Sequence, residues 1–197
     1  MKNLLFNRWE TNVEVSDPSL KRYINLKPFI VPKTSGRFST SSIRKTDISI
    51  VERFINKLAV PGHKGKKHKL TSGHATGRYN LIYRSVKEAF EIIERKTKKN
   101  PLQFLVNAVQ NAAPLEEVVG YRLGGIIARK AVVTSPQRRL DVSLRLIAQD
   151  IFSKSFKSRR SFAQTIADEL IEIASNDQRN NVIRERMRTE REAEGAR

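Results

Sequence analysis

Three histidines lie within one short glycine-rich segment, and histidine is the commonest protein ligand for transition metals. They are His63, His68 and His74 in the stretch GHKGKKHKLTSGHATGR, residues 62–78. Protein zinc sites usually combine histidine with cysteine or carboxylate ligands. The segment has no acidic residue and the chain has no cysteine, so we predict neither a metal site nor a cofactor. The histidines are instead interpreted as part of a contact with a polyanion.

The same segment shares its glycine and lysine content with nucleotide-binding phosphate loops. Such a loop needs a glycine, four further residues and then Gly-Lys followed by serine or threonine, directly after a β-strand. That spacing is absent here, and a helical pattern rather than a strand precedes the segment. Nucleotide hydrolysis is therefore not predicted.

Carboxylates are the other candidates for catalysis, and their positions argue against it. Glu116 and Glu117 are adjacent, so in a strand they point to opposite faces and form a poor acid–base pair. Asp168, Glu169 and Glu172 fall on a predicted helix and are interpreted as solvated surface. No Ser-His-Asp arrangement is suggested either. We therefore expect no enzymatic activity and no small-molecule substrate.

Positive charge is the strongest signal in the sequence. The formal net charge is +18, and it is concentrated in the first four fifths of the chain. Such a field favours a polyanion, either a nucleic acid or an anionic membrane surface. No apolar run approaches the roughly 20 residues that span a bilayer, so we expect no membrane partner.

The basic residues recur in clusters at the joints between predicted elements. A single charged run is usually a solvated face, but repeated clusters can converge on one side of a small domain and bind many phosphates. We predict that these residues bind RNA: Lys33, Arg37, Arg44, Lys45, Lys64, Lys66, Lys67, Lys69, Arg78, Arg138, Arg139, Lys154, Lys157, Arg159 and Arg160.

Helical periodicity and helix-capping residues predict most of the secondary structure. A short helix runs from Pro18 to about Leu26 with Asp17 as its cap, and residues 33–45 follow as an extended basic arm. The next helix is predicted to begin at Ser49, with a capping box to Glu52, and to end at Pro61. Another begins at about Tyr79, and a third begins at Asn100 with Pro101 and ends at Pro114. Two further helices begin at Ser135 with Pro136 and at Phe162. Residues 177–197 are predicted to form a charged helix that frays.

The stretch YRLGGIIARKAVVTSP, residues 121–136, interrupts the helical pattern with β-branched residues around two glycines. It predicts a β-hairpin over about 115–133, with Gly124 and Gly125 supplying the positive φ of a tight turn. Both predicted faces are mixed, so the hairpin can lie flat on the domain or project from it. We favour a projecting arm because Arg129 and Lys130 face opposite ways.

Four blocks of the sequence follow one another in a recognisable order: SIVERFINKL, VKEAFEIIERKTKKNPLQFLVNAVQNAAPLEE, GYRLGGIIARKAVVTSPQRRLDVSLRLIA and FKSRRSFAQTIADELIEIA. Together they resemble the universal small-subunit ribosomal protein S-seven family. The beginning, WETNVEVSDPSLKRYINL, is similar to the archaeal form. The resemblance runs from about residue 6 to the end of the chain.

The resemblance implies a mainly α fold. We expect a helical bundle of about six or seven helices with an inserted, protruding β-hairpin and a basic N-terminal arm. Residues 1–46 would form the arm with its short helix, and residues 47–197 the helical RNA-binding domain.

The resemblance also implies a function in the cytoplasm, within the small ribosomal subunit. Family members bind the 3′ major domain of the small-subunit ribosomal RNA, start assembly of the head and contact neighbouring head and platform proteins. Their hairpin lies near the exit-site transfer RNA and the messenger RNA. The corresponding hairpin residues are Arg122, Gly124, Gly125, Arg129 and Lys130.

The alternative is a DNA-binding helical regulator or architectural protein, which would place one helix in the major groove. The sequence favours RNA because it shows no compact helix-turn-helix and spreads its charge over loops. Competition between duplex DNA and structured RNA would separate the two.

Overall fold

The computed structural model describes residues 4–38, 40–41, 43–60 and 75–197. Its helices and strands are α1 (Pro18–Lys21), α2 (Ile50–Leu58), α3 (Tyr79–Thr97), α4 (Pro101–Ala112), β1 (Glu116–Leu123), β2 (Ile126–Val133), α5 (Pro136–Ser155), α6 (Phe162–Ala174) and α7 (Asn181–Glu194). A short 3-10 helix, Ile43–Asp47, precedes α2. The predicted mainly α fold with an inserted hairpin is confirmed.

Helix α6 lies at the centre of the bundle, where it packs against α3, α4 and α5. Each surrounding helix directs a stripe of apolar side chains inward, as the helical spacing predicts. The fully buried residues include Phe54, Phe90, Leu105, Ile147 and Leu170, one from each of α2 to α6. Burying such a side chain stabilises the fold by about 1.5 to 3 kcal/mol.

The N-terminal segment is part of this packed unit. Phe6 and Trp9 are buried, and both contact the ring of Phe90 on α3 edge-on. The indole nitrogen of Trp9 also donates to Glu94, 3.2 Å away. These contacts fix the start of the chain along α3 before it reaches the basic residues that follow.

Several predicted helix starts are confirmed in atomic detail. The side chains of Asp17 and Asn100, both predicted as caps, each accept a hydrogen bond from the backbone of their helix. Asn180 caps α7 in the same way, and Ser161 forms a reciprocal capping box with Gln164, although the sequence had not singled out either residue as a cap. Such caps satisfy amide groups that have no partner within the helix. Ser135 is an exception, since Pro136 begins α5 without a side-chain cap.

Other local predictions are wrong. Helix α1 ends at Lys21 rather than near Leu26, and the arm is not extended throughout because residues Ile43–Asp47 form the 3-10 helix. Ser49 forms no side-chain cap. The Glu52 carboxylate, expected to complete that capping box, accepts instead from the backbone and hydroxyl of Thr34 at 2.7 and 2.8 Å. The carboxylate therefore ties the arm to α2. That helix ends at Leu58, and Pro61 lies outside the described residues.

Helix α7 is a continuous helix of 14 residues rather than the fraying tail that its charge suggests. Val182 and Ile183 are buried in the common core, and the helix also packs against both strands of the hairpin. The tail therefore supports the hairpin root.

Candidate nucleic-acid interface

The hairpin pairs antiparallel over its full length, from Glu116 opposite Val133 to Leu123 opposite Ile126. A two-residue loop of Gly124 and Gly125 joins the strands, as predicted. Only Gly124 has a positive φ, 59°, so the same prediction for Gly125 is wrong. One left-handed residue at the first loop position is sufficient for some two-residue hairpin turns.

Both faces of the distal hairpin are exposed. Ile126 and Ile127 point to opposite faces and keep 74% and 64% of their surface accessible. Arg129 lies opposite Gly120, and Lys130 lies opposite Val119 on the other face. An element packed flat would bury one face, so the exposure favours the projecting arrangement. Arg122, Arg129 and Lys130 are exposed and form no ion pair within the described residues.

The hairpin root is held by polar contacts from both sides. Arg138 at the start of α5 forms a two-pronged pair with Glu117. Arg197 contacts the carboxylate of Glu116 at 2.6 and 2.7 Å, and Glu190 of α7 accepts from the backbone of Leu115. The two adjacent glutamates are thus structural anchors on opposite faces. The Glu117 hydrogen bond and charge raise the pKa of Arg138, which remains half exposed.

Arg139, predicted to bind RNA, is buried and donates its hydrogen bonds to other groups of the protein. It is 6% exposed and donates to the backbone oxygen of Pro114, to the hydroxyl of Ser19 and to the carboxylate of Asp17. These contacts join α5 to α1 and to the end of α4. We therefore leave Arg139 out of the proposed RNA interface.

Lys154 is also engaged, in a cluster of three carboxylates. It contacts Glu169 closely, and it lies 3.4 Å from Asp150 and 3.3 Å from Glu172. The interpretation of Glu169 as solvated surface is wrong, since it is only 2% exposed. Asn180 donates to both Glu169 and Glu172, so the cluster joins α5, α6 and the start of α7. Burial first, and then the proximity of Asp150, raise the pKa of Glu169 to about 7.

This pKa predicts how stability depends on pH. Because it lies above the ordinary 4.5, the folded chain holds a proton that the unfolded chain releases. The free energy of unfolding should fall by about 2 to 3 kcal/mol between pH 5 and 8. In Glu169→Gln, urea unfolding should show a flatter pH dependence, whereas Glu88→Gln, at an exposed position on α3, should keep the original slope. An unchanged slope in Glu169→Gln would refute the assignment.

Other predicted RNA-binding residues remain exposed. Lys33 lies over the ring of Tyr79 at 5.1 Å, and the Tyr79 hydroxyl donates to the oxygen of Pro32 at 2.8 Å. These contacts bring the arm to the start of α3, where Arg78 is exposed. Burial, with the charge of Glu52 next, raises the pKa of Tyr79 to about 12, so it stays a donor.

The joint between α5 and α6 presents a second exposed group. Lys157 lies 5.6 Å from the ring centre of Phe156, and Arg159 is exposed beside it. Arg160 is paired with Asp168 at 3.3 Å and is therefore partly neutralised. Arg37 and Arg44 are exposed on the arm.

A third group surrounds Asp141 and includes residues that the sequence reasoning did not select. Arg53 and Lys45 contact Asp141 at 3.1 and 3.6 Å. Lys57 and Arg145 belong to the same electrostatic neighbourhood: burial, followed by the charges of Arg145, Lys45 and Arg53, lowers the pKa of Lys57 against the opposing effect of Asp141. We call these five residues the Asp141 cluster.

A sequence signal for the Asp141 cluster did exist. Arg53 and Lys57 are four residues apart on α2, and Asp141 and Arg145 are four apart on α5. Residues at this spacing share one helix face. What the spacing did not show is that α2 packs against α5 and brings the two faces together.

The predicted loop contacts Lys64, Lys66, Lys67 and Lys69, and the three histidines, lie outside the described residues. Within the described ranges, no group of three or more histidine or acidic side chains is placed to hold a metal ion. The described helices also include none that is both long and apolar enough to cross a membrane.

Comparison with known proteins decides the family. The model of the family described as Ribosomal protein S7p/S5e matches residues 20–197. The chain belongs to this family. Among the curated relatives of this S7p/S5e protein is the "Small ribosomal subunit protein uS7" of Archaeoglobus fulgidus, 46% identical over 98% of this chain and 95% of the relative. The uS7 protein of Nanoarchaeum equitans is 42% identical over 100% of this chain and 100% of its own length. The uS7 protein of Methanothrix thermoacetophila is 44% identical over 98% of this chain and 99% of its own length.

Family membership confirms two predictions made from the sequence. The resemblance to the archaeal form of the family is correct, since the relatives just described are archaeal. The S7p/S5e proteins are ribosomal proteins rather than enzymes, which agrees with the expectation of no enzymatic activity.

Proposed function

We propose that the chain is a structural constituent of the small ribosomal subunit in the cytoplasm. It binds the 3′ major domain of the ribosomal RNA and starts assembly of the head. Its hairpin lies near the exit-site transfer RNA and the messenger RNA, and its neighbours are proteins of the head and platform. Its membership of the S7p/S5e family and near full-length similarity to proteins named as small-subunit components support this proposal.

The division between rigid and exposed parts is the structural observation that carries the proposal. The buried Phe54, Phe90 and Leu170 belong to one core, whereas the hairpin leaves that core and exposes basic and apolar side chains on both faces. A rigid scaffold can hold folded RNA through phosphate contacts, because such contacts position a protein without reading base sequence. The projecting hairpin can then reach a second ligand beyond the bound RNA.

The exposed cations supply the RNA-binding chemistry. Lys33, Arg37, Arg44 and Arg78 lie on the arm and the start of α3, and Lys157 and Arg159 lie at the joint between α5 and α6. Each neutralised phosphate releases condensed counterion, so several such contacts give strong binding that weakens as salt rises. Arg138 and Arg160 contribute less, because each already pairs with a carboxylate.

A filter-binding experiment tests the RNA specificity. The full chain should bind the isolated 3′ major domain at least about ten-fold more tightly than an unrelated structured RNA of equal length, measured at 0.15 M salt. Duplex DNA should compete less well than the RNA. Equal affinity for the two RNAs would contradict the proposal, and stronger competition by DNA would favour the DNA-binding alternative.

A further inference from the structure

The Asp141 cluster carries more positive charge than its own carboxylate can neutralise. Lys45 comes from the 3-10 helix, Arg53 and Lys57 from α2, and Arg145 from α5. Asp141 is the acidic residue that contacts two of them. Four cations around one carboxylate leave a local formal charge of +3. Three separate elements of the fold therefore bring cations to Asp141, whose single negative charge does not neutralise them all.

Asp141 is used mainly by the most buried cation. Arg53 is 7% exposed and is held at 3.1 Å from Asp141. Its Nη1 atom is buried and has no hydrogen-bond partner within the described residues. A buried guanidinium needs a counter-charge, because an unpaired charge inside a protein is costly. Asp141 therefore satisfies Arg53 incompletely, and little of its negative charge is left to compensate the outer cations Lys45, Lys57 and Arg145.

The outer cations are accessible and poorly compensated. Lys45 is 3.6 Å from Asp141 and keeps 48% of its side chain exposed. Arg145 is exposed and Lys57 is half-buried, and within the described residues neither forms an ion pair. Like charges held together destabilise the free protein, and an added anion relieves that repulsion.

We propose that the Asp141 cluster is a phosphate-binding site, in which Lys45, Lys57 and Arg145 hold a backbone phosphate of the bound RNA over the Arg53–Asp141 pair. This proposal rests on the proposed RNA-binding function and adds a specific site to it. Lysine acts as a compact point charge, so lysines from separate elements can surround one tetrahedral anion. Arginine adds a planar fork of donors that fits two of its oxygens.

Charge-removing variants test the site by the salt dependence of RNA binding. Lys57→Met and Arg145→Met should each weaken binding to the 3′ domain about 3- to 10-fold at 0.1 M salt, and each should reduce the slope of log affinity against log salt by about 0.7 to 0.9. Lys87→Met is the matched control, since Lys87 is exposed on α3, a helix that carries none of the five cluster residues. It should leave the slope unchanged. Circular dichroism checks that every variant is folded.

Lysine acetylation of the unmodified full chain gives a second readout that needs no variant. Binding of 3′-domain RNA should slow acetylation of Lys45 and Lys57 about ten-fold, as measured by mass spectrometry, and should leave Lys87 unaffected. If the native chain prefers the 3′ domain but Lys57 stays fully reactive and Lys57→Met keeps its salt slope, the site proposal is wrong. An acidic protein segment would then be the better candidate occupant. If the native chain shows no preference for the 3′ domain, the broader proposed function fails instead.

Discussion

Replacing Arg139 by methionine should lower the free energy of unfolding by about 2 to 4 kcal/mol. The substitution removes donors from the Pro114 oxygen, the Ser19 hydroxyl and the Asp17 carboxylate at once. Breaking a fully buried pair costs about 3 to 5 kcal/mol. The expected value is smaller because the Asp17 side chain is 24% exposed and can be partly rehydrated. Urea unfolding followed by circular dichroism measures the change.

Arg138 provides the matched control for this prediction, since it is the preceding residue and carries the same charge. Its side chain is 57% exposed and pairs with Glu117 at the surface. Surface ion pairs contribute about 0 to 1 kcal/mol, so Arg138→Met should leave stability nearly unchanged. Equal stability of the two variants would show that Arg139 is not the structural residue described here.

Deleting residues 121–130 should leave the helical domain folded and remove the function of the hairpin. The deletion joins Gly120 to Ala131, so Val119 and Gly120 become a two-residue loop that closes the pair Val118–Ala131. The described side chains among residues 121–130 are exposed or half-buried, and the root contacts of Glu116, Glu117 and Leu115 remain. We expect the melting temperature to change by no more than about 4 °C, equivalent to about 1 kcal/mol.

The functional effect of the deletion should be large and selective. Binding to the isolated 3′ domain should stay within about three-fold of the native chain, because most exposed cations lie outside the deletion. Subunits assembled with the shortened chain should bind exit-site transfer RNA at least about ten-fold more weakly. A collapse of the melting transition would instead show that the hairpin belongs to the core. Unaltered transfer-RNA binding would contradict its proposed position.

Local chemistry made much of the fold predictable from sequence. Asn100 with Pro101 marks a helix start, because the Asn100 side chain accepts a hydrogen bond from a helix amide and the ring of Pro101 fixes a helical φ. Neither effect depends on contacts with the rest of the fold. The glycine pair between β-branched residues marks a hairpin for similarly local reasons. Helix α7 was harder, because its few apolar residues become decisive only when Val182 and Ile183 meet a core formed by distant helices.

The candidate interface was less predictable, because the charge of a residue does not show whether its side chain is exposed or buried in the folded chain. Arg138 and Arg139 are adjacent and chemically identical, yet one is half exposed and the other is buried. Successive helical residues point about 100° apart, so one turn can supply both a surface contact and a core contact. Lys57 was missed for the converse reason, since its four-residue spacing from Arg53 becomes informative only when α2 packs against α5, the helix that carries Arg145.

Chemical footprinting of the full-length small-subunit ribosomal RNA tests the central claim most directly. The purified chain is added to the naked RNA, and backbone cleavage by hydroxyl radicals is mapped over every nucleotide. We expect protections confined to the 3′ major domain and lost together as salt rises. Protections scattered over all domains, or none at concentrations that saturate binding, would contradict the proposal that this protein binds the head RNA specifically.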